Sequence, residues 1–369
     1  MKILLCHSAK SLKDRESIDI WRVIRPFNEL KKHVDWEIDH TGYLLPSELL
    51  DKNNKASAGN LAREVERLSQ YDLIWTSYFP DAVLFDVMLF LQGKFNTKFV
   101  LDVDDDFYNI PQHNPIWKAT DANYNIDQIK YMIESAPYLV TSCDNLYKYY
   151  KDLRDNEDLR TFMFPNLIGG YTHKPFDNKE NIVIGYAGGI SHSKDLKNTG
   201  FLEAVKLLMK KYPQVRLGSV GIDLEITGTL RKRYEFIPGR PGEAWLKEIF
   251  PNMNIDIYVA PLENTEFNRR KTNIKWLESA FIPAVFVGSK TPPYSLSVRN
   301  NLTGVLVRDG VEFWYATLEE LILDKKLRLR LAQNAKVEIE NKWSIEKHWI
   351  KLLEIVKEID QSANLISLE

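Results

Sequence analysis

Short apolar runs alternate with amphipathic stretches along the first part of the chain. Residues 3–6 have the length and composition of a buried β-strand, whereas residues 18–30 place apolar side chains on one face at helical spacing. The predicted strands are residues 3–6, 72–76, 98–102 and 138–141, and the predicted helices are residues 18–30, 82–91 and 126–135. Strands that alternate with helices in this way predict a parallel, doubly wound sheet.

The alternation lapses at residues 166–179, where glycine, proline and polar residues predict a domain boundary, and then begins again. The second set of predicted strands is residues 182–186, 215–220, 234–236, 256–260, 284–287 and 304–307. The second set of predicted helices is residues 201–211, 272–281, 311–323, 326–340 and 345–359. The pattern therefore predicts two Rossmann-like domains, 1–170 and 171–345, and a C-terminal helix in 346–369 that could pack back on the first domain. Ligand is expected at the carboxyl ends of the strands.

Composition narrows the class of protein. The 369 residues are 44% apolar and 27% charged, which is typical of a globular chain and excludes disorder. Lys plus Arg number 49 against 51 for Asp plus Glu, so the net charge of −2 gives no support for nucleic acid as a partner. Two cysteines, an apolar start too short for a signal peptide and no spanning apolar run predict a cytoplasmic protein, either free or peripheral to the membrane.

Gly188 and Gly189 follow the predicted strand 182–186, and Ser191, His192 and Asp195 come next at positions that could begin a helix. Glycines let the backbone approach a ligand closely, and the amides of a helix start attract a diphosphate. A turn without a ligand is the alternative, because the segment has neither the GxGxxG spacing nor the lysine of a P-loop.

A second candidate binding site consists of Lys271, Lys275 and Glu278. Their spacing of i, i+4 and i+7 places all three side chains on one face of a helix if the predicted helix 272–281 includes Lys271. Cations in the first turns of a helix oppose its dipole unless an anion such as a diphosphate is bound there. The carboxylate two turns on could accept hydrogen bonds from sugar or ribose hydroxyls. A solvated face with an ordinary ion pair remains the alternative.

Acidic residues follow the predicted strand 98–102, with Asp104 at the centre of the run 102–106. They could bind a metal or position an acceptor hydroxyl, or they could cap the next element and shape the loop. His7 and His113 are further candidates, although a lone histidine is often structural. No cysteine–histidine cluster has zinc spacing, and no GxSxG motif is present.

Together these features resemble the GT-B glycosyltransferases, in particular the family 4-like group that uses nucleotide-sugar donors. The resemblance covers residues 182 to about 349, while the first half matches loosely, at its first strand, at 102–106 and at 164–166. The matching residues are Gly185, Tyr186, Ala187, Gly188, Gly189, His192, Asp195, Leu196, Asp256, Pro261, Leu262, Phe267, Asn268, Lys271, Lys275, Glu278, Pro293, Tyr294, Thr303, Gly304, Asp324, Leu327, Arg328, Leu331 and Ala332. The resemblance implies an α/β, GT-B fold in which two Rossmann-like domains face each other across a cleft.

The resemblance also implies roles for individual residues. The donor would bind the second domain through Gly188, Gly189, His192, Arg240, Arg270, Lys271, Lys275 and Glu278. The first domain would form the acceptor wall, and the implied catalytic residues are His7, Asp104 and His113. Two departures concern the donor sugar: Arg270 stands eight residues before Glu278, where the family has another glutamate, and Pro283 and Val285 replace a glycine and a proline.

The resemblance implies transfer of a sugar from a nucleoside-diphosphate sugar to a hydroxyl of a glycan or lipid-linked glycan. It implies no tightly bound cofactor and no metal, because cationic side chains and helix amides serve in its place. Three alternatives stay open: a phage-type glycosyltransferase acting on a modified base in DNA, a nucleotide-sugar epimerase, and a non-catalytic nucleotide-sugar-binding protein.

Overall fold

The computed structural model describes residues 1–7, 17–42, 57–77, 79, 82–114, 117, 126–169, 180–239, 249, 252–282 and 284–362. The chain forms two compact units, each with a six-stranded parallel sheet. The first unit comprises Met1–Tyr108, Ala119–Asn166 and His348–Glu369, and the second comprises Asn109–Lys118 and Leu167–Lys347. The short segment 109–118 therefore belongs to the second unit although it follows a strand of the first.

The first unit is a doubly wound α/β layer structure. Its strands are β1 (Lys2–His7), β2 (Glu37–Gly42), β3 (Leu73–Thr76), β4 (Lys98–Val103), β5 (Tyr138–Thr141) and β6 (Arg160–Met163). They pair in the order β2-β1-β3-β4-β5-β6, and every pair is parallel. The four strands that the apolar runs predict are confirmed, and two edge strands, β2 and β6, were not predicted.

Helices cover this sheet. They are Ser57–Leu68, Ala82–Phe95, Ile126–Ser135, Asp144–Leu153 and Ile350–Gln361, together with the continuous helical segment 17–30. The last helix packs against Arg25–Leu30, within the same unit. None of the helices in the described part of the chain is long and apolar enough to cross a membrane.

The predicted helix 18–30 is present but contains a π-turn at Ile20–Ile24, between Ser17–Asp19 and Arg25–Leu30. The N–H of Arg25 bonds to the carbonyl of Ile20, five residues back. Pro26 explains the extra residue in the turn, because it has no N–H to donate and its ring clashes with the carbonyl four residues earlier. The turn carries Arg22, whose side chain is fully buried.

Arg22 ties the end of β4 to the end of the unit's last strand. Its guanidinium donates to both carboxylate oxygens of Asp102, at 2.8 and 3.2 Å, and to the carbonyl of Phe164 and the side-chain oxygen of Asn166. Trp75 Nε1 also donates to Asp102, at 3.1 Å. Burial raises the pKa of Asp102, and the Arg22 charge opposes that effect. Asp102 is therefore a structural carboxylate.

The second unit repeats the architecture. Its strands are β7 (Ile182–Ala187), β8 (Val215–Val220), β9 (Tyr234–Ile237), β10 (Ile257–Ala260), β11 (Val285–Ser289) and β12 (Val305–Val307). They are parallel in the order β12-β11-β10-β7-β8-β9, so all six predicted strands are confirmed. Aliphatic side chains of the central strands form its core with Trp314 and Phe201 of two covering helices.

The helices of the second unit confirm most of the predicted boundaries. They are Ser193–Asn198, Phe201–Lys211, Glu266–Arg269, Ile274–Glu278, Tyr294–Ser297, Val311–Leu323, Lys325–Lys342 and Ile345–His348. Two predicted helices differ from the structure. The helix predicted at 272–281 begins at Ile274 and gives way to a 3₁₀ turn at Ser279–Phe281, and the one predicted at 345–359 is interrupted at Trp349, between Ile345–His348 and Ile350–Gln361. Lys271 therefore precedes the helix instead of sharing a helical face with Lys275 and Glu278.

Candidate functional site

The second sheet has a topological switch point between β7 and β10. From β7 the chain builds β8 and β9 on one side of the sheet, and β10, β11 and β12 then extend it on the other. The helical connections after β7 and β10 leave in opposite directions, which opens a crevice at the carboxyl ends of these two strands. Apart from Arg240, the predicted donor residues come from the two segments that leave this point, 188–195 after β7 and 261–278 after β10.

The segment after β7 begins with two glycines that have different surroundings. A Cβ at Gly188 would collide with the hydroxyl of Tyr186, so an alanine there would force the Tyr186 ring to shift. A Cβ at Gly189 would have the Ser191 hydroxyl, at 3.8 Å, as its nearest neighbour. Gly189 is also exposed and has φ −80° and ψ 174°, which any residue can adopt. The space over Gly189 therefore lets a ligand approach the backbone.

His192 ends the 3₁₀ turn Ile190–His192, and its Nδ1 lies 2.9 Å from Oδ2 of Asp195. The other carboxylate oxygen of Asp195 accepts hydrogen bonds from the Glu263 N–H, at 3.0 Å, and from the Asn268 side-chain amide, at 2.9 Å. Burial lowers the pKa of His192, the Lys271 and Lys275 charges act in the same direction, and the bond to Asp195 opposes them. The imidazole is held in a fixed orientation and is within electrostatic reach of two cations.

Those two cations come from the segment after β10. The ammonium group of Lys271 lies 4.4 Å from the centroid of the Phe267 ring. Lys275, in the helix Ile274–Glu278, places its Nζ 3.0 Å from Oε2 of Glu278. Tyr258, on β10, donates its hydroxyl to the same oxygen at 2.6 Å, and both Tyr258 and Glu278 are buried. Glu278 is thus a buried carboxylate oriented by a phenol and an ammonium.

A pocket in the second unit brings several predicted residues together. It is lined by Pro111, His113, Asn114, Ser191, His192, Asp195, Glu263, Thr265, Phe267, Asn268 and Lys271. His113 belongs to the segment 109–118 and is exposed. His113, His192 and Lys271 therefore line one pocket, although the sequence analysis assigned His113 to the acceptor wall of the first domain.

Of the two arginines predicted to bind the donor, the structure describes only Arg270. Arg270 is half-buried, and its Nη2 lies 3.2 Å from Oε2 of Glu266. Glu266 also pairs with Arg269, at 2.9 Å. Arg240 lies outside the described residues.

His7 and Asp104 belong to the first unit. His7 is the last residue of β1, is buried, and places its Nε2 2.9 Å from Nδ1 of His40 on β2. Asp104 directly follows β4 and is half-buried, and its carbonyl accepts a hydrogen bond from Ser142. The neighbouring Asp106 accepts from the Tyr108 N–H, at 3.0 Å. The Asp102 carboxylate is held by Arg22, and the Asp106 carboxylate accepts a hydrogen bond within the loop, so these two side chains have structural contacts.

Sequence analysis did not assign a role to Asn268 or Glu263, and it treated Asp195 as a residue that could begin a helix and as part of the matching motif. The spacing of His192 and Asp195, three residues apart, was a signal for a helical-turn contact. The contacts of Asp195 with residues 263 and 268 join segments about 70 positions apart. Only the parallel pairing of β7 with β10 brings these segments together.

Within the residues that the structure describes, no group of three or more His, Cys, Asp or Glu side chains could hold a metal ion.

The fold was compared with solved structures. Sucrose-phosphate synthase from Thermosynechococcus elongatus has a TM-score of 0.65 at 14% identity, over 97% of this chain and 99% of that one. HepE from Anabaena, solved in complex with UDP-glucose, has a TM-score of 0.62 at 14% identity, over 96% of this chain and 100% of that one. These likenesses confirm the GT-B fold, with its two Rossmann-like domains.

Comparison of sequences gives a more local likeness. No family model matches the chain. The capsular polysaccharide biosynthesis glycosyltransferase CapM of Staphylococcus aureus is 27% identical over 180 residues, which is 47% of this chain. The match covers 45% of CapM, so this chain matches less than half the length of that relative.

Proposed function

We propose that the protein is a glycosyltransferase that moves a sugar from a nucleoside-diphosphate sugar to a hydroxyl of a glycan or lipid-linked glycan. The observation that carries the proposal is the group at the switch point of the second sheet: the open backbone at Gly189, the oriented His192, and the ammonium groups of Lys271 and Lys275. HepE, of the same fold, is solved with UDP-glucose, and CapM is described as a capsular polysaccharide glycosyltransferase. The HepE complex supports a nucleotide-sugar donor, and the description of CapM supports a glycan acceptor.

The charges suit the departure of a nucleoside diphosphate. When the bond between the sugar and the β-phosphate breaks, the electron pair stays on the phosphate oxygen. Lys271 and Lys275 stabilise that negative charge, and a site built in advance does so without reorganisation. Gly188 and Gly189 bring backbone close to the diphosphate, Arg240 and Arg270 add positive charge, and Glu278 accepts hydrogen bonds from the ribose hydroxyls.

The acceptor side is assigned to His7, Asp104 and His113. His113 has support from its exposure and from its place in the pocket with His192 and Lys271. His7 and Asp104 have support from their places at the carboxyl ends of β1 and β4, where doubly wound sheets bind ligands. The net charge of −2 gives no support for DNA as the acceptor.

We propose, further, that the reaction does not depend on a metal ion. The support is the pair of lysines beside His192, which supply positive charge where a metal would otherwise neutralise the diphosphate. Transfer assayed with a chelator and with added Mg²⁺ tests this point, and the two rates are expected to agree.

A thermal-shift screen of nucleoside diphosphates and their sugars tests the donor site. A ligand present at 100 times its dissociation constant stabilises the protein by about 2.7 kcal/mol. The shift is expected for at least one base and is expected to shrink in Lys271→Ala. Lys211→Ala is the control, because Lys211 is an exposed residue that pairs with Glu319. No shift with any nucleotide would contradict the proposal.

A further inference from the structure

The carboxylate of Asp195 is buried, and each of its oxygens has a defined partner. Oδ1 accepts from the Glu263 N–H and from the Asn268 amide, and Oδ2 faces Nδ1 of His192. Because an ionised carboxylate only accepts hydrogen bonds, Nδ1 of His192 must carry the proton. The neutral ring therefore has a bare lone pair on Nε2.

A bare Nε2 is poorly suited to a phosphate oxygen, because both atoms are acceptors. Only the doubly protonated imidazolium can donate to Asp195 and to a phosphate at once. His192 and Lys271 line the same pocket, and the proposed function places the diphosphate in that pocket.

The charged groups around His192 come from several elements. Asp195, on the following helical turn, favours the imidazolium, whereas Lys271 and Lys275 disfavour it. Glu263 and His113 line the same pocket, and the carboxyl of Asp309 interacts with Asp195 and Glu263. Burial and the two lysines prevail, so the pKa of His192 is below its ordinary value in the free protein. A bound diphosphate would offset the lysine charges and reverse that balance.

We propose that His192 takes up a proton from solvent when a nucleoside diphosphate binds, and that Asp195 is the positioning residue that fixes the ring for this step. This inference rests on the proposed function. The proton bonds to Nε2 and is shared with a phosphate oxygen, and it returns to solvent when the diphosphate leaves. No covalent bond of the ligand changes in the step.

Titration calorimetry at pH 7.5 measures the uptake directly. Binding of UDP, GDP, ADP and CDP is measured in HEPES, MOPS and Tris, and the slope of observed enthalpy against buffer ionisation enthalpy gives the protons taken up. The terminal phosphate has a pKa near 6, so at this pH it is largely deprotonated and the lysines are already charged. An uptake of about half a proton or more per ligand is expected.

Substitutions at individual histidines test whether His192 is the residue that takes up the proton. His192→Gln is expected to bind about tenfold more weakly and to show a slope near zero. His33→Gln is the control, since His33 packs against Trp349 in the first unit, and it is expected to keep the wild-type slope. A slope that persists in His192→Gln would overturn the assignment to His192.

Asp195→Asn tests the positioning role. The asparagine oxygen can still accept from Glu263 and Asn268, while its amide donates toward Nδ1 and moves the ring proton to Nε2. That neutral ring donates to phosphate without taking up a proton, so the slope is expected to vanish while binding stays measurable. A wild-type slope in this variant would overturn the role of Asp195.

The outcomes also separate this inference from the proposed function. Diphosphate binding in the wild-type protein with no proton uptake would overturn the inference and leave the proposed function standing. Absence of binding by all four nucleotides would overturn both. Circular dichroism shows whether each variant is folded, and the wild-type slope alone decides the inference if Asp195→Asn does not fold.

Discussion

At the scale of single residues, a substitution at Gly189 is expected to weaken ligand binding without changing the stability of the fold. Its backbone angles suit any residue, and a Cβ there meets no atom closer than 3.8 Å. Gly189→Ala is therefore expected to change the free energy of unfolding by less than about 0.5 kcal/mol. The added methyl group keeps a phosphate from the backbone, so the dissociation constant for a nucleoside diphosphate should rise about tenfold or more. Calorimetry and chemical denaturation measure the two quantities.

Gly188→Ala is the matched control for that prediction. A Cβ at Gly188 collides with the Tyr186 hydroxyl, and such overpacking costs about 1–3 kcal/mol of stability. Gly188→Ala is thus expected to lower the free energy of unfolding, whereas Gly189→Ala is expected to leave it nearly unchanged. Unchanged nucleotide binding in a stable Gly189→Ala protein would contradict the close approach of the ligand at this residue.

Arg22 provides a prediction for the first unit. It and Asp102 are both completely buried, and they lie 2.8 Å apart. Arg22→Met leaves the carboxylate buried without its cation, which should cost about 3–5 kcal/mol. Urea unfolding followed by the fluorescence of the tryptophans measures the loss.

The double variant Arg22→Met/Asp102→Leu is the control, because it removes the stranded charge with its partner. It should be more stable than Arg22→Met alone. A loss below about 1 kcal/mol in the single variant would show that Asp102 does not depend on Arg22.

At the scale of elements, the short helix Glu266–Arg269 connects β10 to the pocket. Thr265 caps it by accepting a hydrogen bond from the Asn268 N–H, at 3.2 Å, and the Asn268 side chain holds Asp195. Thr265→Ala should cost about 1 kcal/mol of stability. It should also weaken nucleotide binding about threefold or more, because Asn268 and therefore Asp195 lose their fixed position.

Asp324→Ala is the control for Thr265→Ala. Asp324 caps the helix Lys325–Lys342 by accepting from the Leu327 N–H, at 2.9 Å, and does not line the pocket. It should lower stability by a similar amount and leave the dissociation constant unchanged. Equal effects of the two variants on binding would mean that the cap acts only through stability.

The elements also show what the sequence could predict. The central strands are apolar runs that are buried on both faces, so their pattern is unambiguous. All ten predicted strands are present, including β9 and β12 at the edges of the second sheet. β2 and β6 lie at the edges of the first sheet, where β2 buries only Ile38 and β6 is half-exposed. Neither β2 nor β6 is a continuous apolar run, and this is why both escaped prediction.

The pattern of apolar and polar residues could not predict that the helix begins at Ile274. The polar stretch from Arg270 to Asn273 has no apolar residue to mark a boundary, and it forms turns instead, with the Lys271 N–H bonded to the Asn268 carbonyl. Spacing alone therefore placed Lys271 on a helical face that it does not have. The proximity of Lys271, Lys275 and His192 depends on the turn.

At the scale of the whole molecule, two doubly wound sheets were predictable because each half of the chain repeats the same alternation. The membership of segment 109–118 in the second unit was not, since nothing in its composition distinguishes it from a loop of the first. The hydrogen bond from Tyr258 to Glu278 was not predictable either, because the sequence shows Tyr258 only as a residue of a buried strand. Long-range partners of this kind depend on strand order, which apolar periodicity does not specify.

The central claim is that the second unit holds a nucleoside-diphosphate sugar and stabilises the departing diphosphate with Lys271 and Lys275. Release of nucleoside diphosphate from a panel of nucleotide sugars, with and without glycan acceptors, tests it most directly. Turnover of at least one donor is expected, with a rate about 100-fold lower in Lys275→Ala and unchanged in Lys211→Ala. Turnover of no donor, or rates in Lys271→Ala and Lys275→Ala within about twofold of wild type, would contradict the claim.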